Sequence, residues 1–90
     1  MTDNEKNILC KAIKKWGTSN QILMVFEECS ELMNALAKIN RERATKEEVI
    51  TELADVSIMI DQMFLVFGEE DCNKERQRKI ARLEDRINKF

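Results

Sequence analysis

Proline is absent from the 90 residues, and glycine occurs only at Gly17 and Gly68. The two strongest helix breakers are thus nearly missing. Good helix formers fill the space between, so the expectation is an all-α chain with short connections. The length suggests one domain spanning residues 1–90. A core of this size is adequate but marginal, and oligomerisation is a common remedy.

Apolar spacing divides the chain into four helices, a four-helix bundle-like arrangement. The first runs from about Asp3 to Trp16, with Ile8, Leu9, Ala12, Ile13 and Trp16 on one stripe. Gly17 stops it, and Thr18 to Gln21 reads as a capping box opening the second helix. That helix runs to about Arg43, with Ile22, Phe26, Cys29, Leu32, Met33, Leu36 and Ile39 on its apolar side. A second capping box, Thr45 to Glu48, opens the third. The third helix is apolar on nearly every side, from Val49 to Phe67. Such a helix is normally buried all round, and so short a chain has little to wrap it, which predicts a subunit interface. Gly68 ends it. The last helix carries Ile80, Leu83, Ile87 and Phe90 at helical spacing under a basic outer face.

Charge and cysteine usage exclude several classes. The net charge is −2, which gives no overall pull toward nucleic acid or anionic membrane. Residues 72–90 carry +4 and the rest −6. The basic residues of the last helix alternate with Glu75, Glu84 and Asp85, so nucleic-acid binding is a weak reading. Glu52, Asp55 and Asp61 interrupt the long apolar helix and argue against a membrane span. Cys10, Cys29 and Cys72 are odd in number and widely spaced. They make no disulfide framework, and they read as small core residues. With no signal-like N-terminus, a cytoplasmic location is expected. Histidine is absent, which removes His-based general bases and triads and makes zinc a poor fit.

Two acidic clusters sit in apolar segments where carboxylates are costly: Glu27-Glu28-Cys29-Ser30-Glu31 and Glu52-Leu53-Ala54-Asp55. Glu28 and Glu31 are three apart, as are Glu52 and Asp55, so each pair projects from one helical face. A single such pair is more often a solvated face than a site. Two on adjacent helices repel unless a cation lies between them. Four carboxylates would form an all-oxygen cage, which suits Mg²⁺ or Mn²⁺. Mg²⁺ held this way completes its shell with water and substrate phosphates. The chemistry that follows is phosphoanhydride hydrolysis.

Glu27-Glu28-x-x-Glu31, a spacer of 20 residues, then Glu52-x-x-Asp55 resembles the signature of the MazG-like all-α nucleoside triphosphate pyrophosphohydrolases, a superfamily that includes dimeric dUTPases and dCTP pyrophosphatases. The resemblance covers about residues 16–67 well and the last helix loosely. It implies an α-helical homodimer or homotetramer that cleaves an NTP or dNTP between the α and β phosphates, with a role in nucleotide-pool cleansing. It implies Glu28, Glu31, Glu52 and Asp55 as Mg²⁺ ligands. Glu27 is the extra acid, either orienting or deprotonating the attacking water or binding a further ion.

Lys38 lies two turns beyond Glu31 on the same face and is the first candidate to hold the leaving pyrophosphate, with Asn34 between them as a sugar or phosphate contact. Lys74, Arg78, Lys79 and Arg82 are weaker candidates, equally well read as a solvated face. Trp16, the only tryptophan, reads either as closing the core beneath the first helix or as a base-stacking ring with Gln21 beside it. The packing reading is preferred. The competing function is a non-catalytic helical interaction module that would be indifferent to divalent cations.

Overall fold

The computed structural model describes residues 1–89. They form four helices and, among the described residues, no strand: α1 (Asp3–Trp16), α2 (Thr18–Asn40), α3 (Lys46–Phe67) and α4 (Glu69–Lys89). Phe90, assigned to the last apolar stripe, lies outside the described residues.

Each break in the helical run has a local cause. Gly17 alone separates α1 from α2, and Gly68 alone separates α3 from α4. Both have positive φ, 88° and 110°, where an L side chain is strained. Gly17 donates its N–H to the Ile13 carbonyl at 2.8 Å, closing α1. The capping box expected at Thr18–Gln21 does not form. Thr18 is already helical, and Gly17, which has no side chain, occupies the N-cap position. The box at Thr45 does form: its hydroxyl accepts from the Glu48 N–H at 3.2 Å, and Glu48 accepts from the Thr45 N–H at 3.2 Å. An unforeseen counterpart starts α1, where Thr2 and Glu5 make the same reciprocal pair.

Helix α2 stops at Asn40, three residues earlier than the apolar pattern suggested. Glu42 adopts φ 59°, Arg43 N–H donates to the Lys38 carbonyl at 2.8 Å, and Glu42 N–H donates to Ile39 at 3.0 Å. This is a Schellman ending with glutamate in the left-handed position that glycine usually fills. The signal is hard to read in sequence because the usual residue is missing.

The short turn folds α3 back along α2, and this antiparallel pair is the most extensive contact in the molecule. Helix α1 packs across both α2 and α3, and the backbone of α4 lies against α3. Lys6 of α1 reaches Glu69 of α4 with an N–O distance of 2.8 Å. The radius of gyration is 15.7 Å, against roughly 12 Å for a compact chain of this length. On α4 the stripe residues Ile80, Leu83 and Ile87 are all exposed.

Leu9, Ala35, Val49 and Met59 make up the buried apolar core, and no large side chain among the described residues is fully buried. One chain leaves part of the third helix uncovered, as the shortness of the chain led one to expect. Ile50, Leu53, Ile58, Ile60 and Phe67 stay exposed because α1, α2 and α4 together cover only part of its circumference. Cys10 is likewise exposed, not a core residue, while Cys29 and Cys72 are half-buried; all three are free thiols. No helix among the described residues is long and apolar enough to cross a membrane.

Candidate functional site

The site residues lie along the groove between α2 and α3. Antiparallel pairing sets Glu28 and Glu31 of α2 against Glu52 and Asp55 of α3. One ligand oxygen from each of Glu28, Glu31 and Glu52 lies within 4.8 Å of the other two. Oε2 of Glu28 and Oε2 of Glu52 are both shut off from solvent and have no hydrogen-bond partner.

Electrostatics follow from that crowding. Burial pushes the Glu28 carboxyl above the usual range, and the charges of Glu31, Asp55 and Glu52 push it further. Burial likewise raises Glu52, reinforced by Glu31 and Asp55. Asp55 stands outside the three-oxygen group but is half-buried and close enough for its charge to bear on both neighbours. Glu27 is exposed and also stands outside that group. No cationic partner is among the causes acting on Glu28 or Glu52. Clustered carboxylates with no cationic partner and two sealed oxygens form a donor set that fits a hard divalent cation, although Glu31 also hydrogen-bonds to Glu28 and Glu52.

Lys38 and Asn34 do share a space with this cluster. A pocket of about 240 Å³ is lined by Glu31, Asn34, Ala35, Lys38, Glu48 and Glu52. Glu48 had no place in the sequence reading of the site, because its capping role at the start of α3 accounts for it fully. The basic candidates on α4 are exposed; Arg78 pairs with Glu75 and Lys74 with Glu70, the ordinary pattern of a solvated helix.

At the other end of the groove is a larger pocket of about 560 Å³, lined by Trp16, Asn20, Gln21, Leu23, Met24, Met59 and Gln62. Trp16 does not close the core: it is 54 % exposed and forms part of the pocket wall. Lys15 Nζ lies 5.5 Å from its ring centroid. Asn20 Nδ2 donates to the Trp16 carbonyl at 2.7 Å and braces the corner between α1 and α2. Gln62 was missed from sequence, where attention to acids hid a neutral amide in the same apolar run.

The chain has no significant match to a family model, to a curated protein or to a solved structure.

Proposed function

We propose that this chain is a Mg²⁺-dependent nucleoside triphosphate pyrophosphohydrolase of the MazG-like kind, with Mn²⁺ as an alternative ion, acting in the cytoplasm as a homodimer or homotetramer. The observation that carries the reading is the convergence of Glu28, Glu31 and Glu52, two of them with sealed and unpartnered oxygens. Such an arrangement is unfavourable while every carboxylate is charged, which protons or a cation relieve, and the all-oxygen donor set favours Mg²⁺ over softer metals.

Glu28, Glu31 and Glu52 would hold the ion, with Asp55 adding negative charge beside them. A bound divalent ion supplies charge neutralisation of the triphosphate and a more acidic water. The chain's own groups then divide the remaining work. Lys38, in the same pocket as Glu31 and Glu52, holds negative charge on the departing pyrophosphate. Asn34 contributes a neutral amide to that pocket for a phosphate or sugar oxygen. Glu27, on the same turn as Glu28, is the acid left either to orient or deprotonate water or to bind a further ion. In the reaction the water oxygen bonds to the α-phosphorus, and the bridging oxygen leaves with pyrophosphate.

Oligomer formation is supported by the apolar area that one chain leaves uncovered, including Phe26 at 68 % and Leu53 at 48 % exposure. The test is pyrophosphate release from each common NTP and dNTP with Mg²⁺, beside Glu28→Gln and Asp55→Asn. Release with matching monophosphate, lost in both variants, supports the reading. Inorganic phosphate as product contradicts the bond assignment. No release, together with no Mg²⁺-dependent stabilisation, leaves the non-catalytic interaction module.

A further inference from the structure

The hairpin of α3 and α4 leaves its inner face open. A crevice of about 400 Å³ separates the two helices, with Ser57, Ile60 and Phe64 on the α3 wall and Asn73 and Arg76 on the α4 wall. Each wall continues along its helix at alternating three- and four-residue spacing. On α3 it continues to Leu53 and Ile50, both about half exposed, and on α4 to Ile80, Leu83 and Ile87. Exposure climbs along the α4 stripe from 42 % to 54 % to 66 %, so α4 draws away from α3 toward its end. Every residue from Asn73 to Lys89 is exposed. A helix of that length with no covered apolar face is marginal in water.

The two helices also carry opposite charge. Helix α3 has one lysine and five acids, a formal −4. Helix α4 beyond Asp71 has seven Lys/Arg and three acids, a formal +4. The charges adjoin the stripes: Glu47 precedes Ile50 by one turn and Asp61 lines the crevice, while Lys79 precedes Ile80 and Arg86 precedes Ile87. One hairpin thus presents two apolar seams, one with an acidic margin and one with a basic margin. A two-fold axis makes such a face complementary to itself.

We propose that the α3–α4 hairpin is a self-association surface, packing on the same hairpin of a second copy to close a four-helix core with α3 of each copy against α4 of the other. Setting α3 on α3 would oppose −4 with −4, and α4 on α4 would oppose +4 with +4. Only the crossed order alternates the signs around the bundle and brings all four seams to one centre. Two helices about 30 Å long and 10 Å wide offer a face of about 600 Å² before corrugation. That approaches the about 800 Å² per partner of a stable dimer. The choice of face and of order uses no part of the nucleotide chemistry.

The experiment measures the mass of the full chain by sedimentation across concentration, without metal or nucleotide. The parent chain is expected to associate, and Leu83→Asp to raise the dissociation constant at least about tenfold, whereas Phe26→Asp on α2 leaves it within about twofold. A charge-swap pair tests the order. One chain carries Lys79→Glu with Arg86→Glu, the other Glu47→Lys with Asp61→Lys. Each alone should associate more weakly than the parent, and mixing the two should restore association, less so in high salt. Recovery on mixing requires that both chains fold, so a misfolded Leu83→Asp chain leaves the test intact. A parent chain that stays monomeric up to millimolar concentration overturns the proposal. So does association lost in Phe26→Asp and kept in Leu83→Asp, or absence of recovery between two swap chains of parental helicity. Pyrophosphate release by a monomer sinks only this interface. A dimer of this kind without release sinks only the proposed reaction.

Discussion

The two ends of the α2–α3 groove both hide polar oxygens that lack partners, but the oxygens differ in kind. At one end they belong to Glu28 and Glu52, crowded by Glu31 and Asp55. At the other the orphan is the neutral amide oxygen of Gln62, set among Trp16, Met24 and Met59. A charge without a counter-charge must be protonated or neutralised, whereas an amide needs only a donor. The first end therefore responds to pH and, under the proposed function, to a divalent cation. The second, a neutral amide, should be indifferent to both. One groove thus presents two chemistries that mutation can separate.

The largest effect should come from removing a charge at the acidic end. Glu28→Gln or Glu52→Gln is expected to lower pyrophosphate release by about a hundredfold or more. Trp16 fluorescence, which reports on the amide end, should stay that of the parent chain. A changed Trp16 emission in the same variants would erase the distinction between the ends.

Acidity provides the next contrast. Folding raises the carboxyl pKa of Glu28 and of Glu52. Their contribution to stability is therefore greatest below the ordinary glutamate range and is lost as pH rises through the raised values. Glu75 acts in the opposite sense, because its pairing with Arg78 holds it low. The informative quantity is thus the difference in Tm with and without Mg²⁺, measured across mildly acidic to neutral pH. It should widen as pH rises, since protons and the cation compete for the same oxygens. A difference that is flat with pH would place the ion elsewhere.

Smaller effects test the scaffold. Thr45→Ala removes the cap at the start of α3, nearer the carboxylates than the amides, and should cost about 1 kcal/mol in urea unfolding. Glu42→Gly should stabilise by about 0.5 kcal/mol or leave stability unchanged, because relief of the left-handed strain is partly offset by a more flexible unfolded chain.

Much of the architecture was legible because its signals are local. The two glycines, the Thr45–Glu48 box and the apolar spacing placed four helices close to where they lie. Misplaced ends were those where the decisive residue was atypical, as at Glu42, or where one residue had to serve as both stop and start, as at Gly17. The convergence of Glu28, Glu31 and Glu52 was legible as two equal spacings on neighbouring helices. Of the amide pocket, Trp16 and Gln21 were legible and Gln62 was not. Gln62 is unremarkable in composition, and its meaning comes from what faces it across α2, a relation that periodicity does not encode. Trp16 was left between two readings for a similar reason: a large apolar residue at a helix end has the same pattern whether it fills a core or walls a pocket.

The five-residue connection between Asn40 and Lys46 has a bearing on the order in which the chain organises itself. Glu28, Glu31, Glu52 and Asp55 all belong to one helical hairpin, closed by a short loop and needing neither α1 nor α4. Short loops close quickly and at little entropic expense, so contacts of this kind form early. The carboxylates would then be brought together before α1 supplies Trp16. A divalent ion present during refolding should speed the search for the native state.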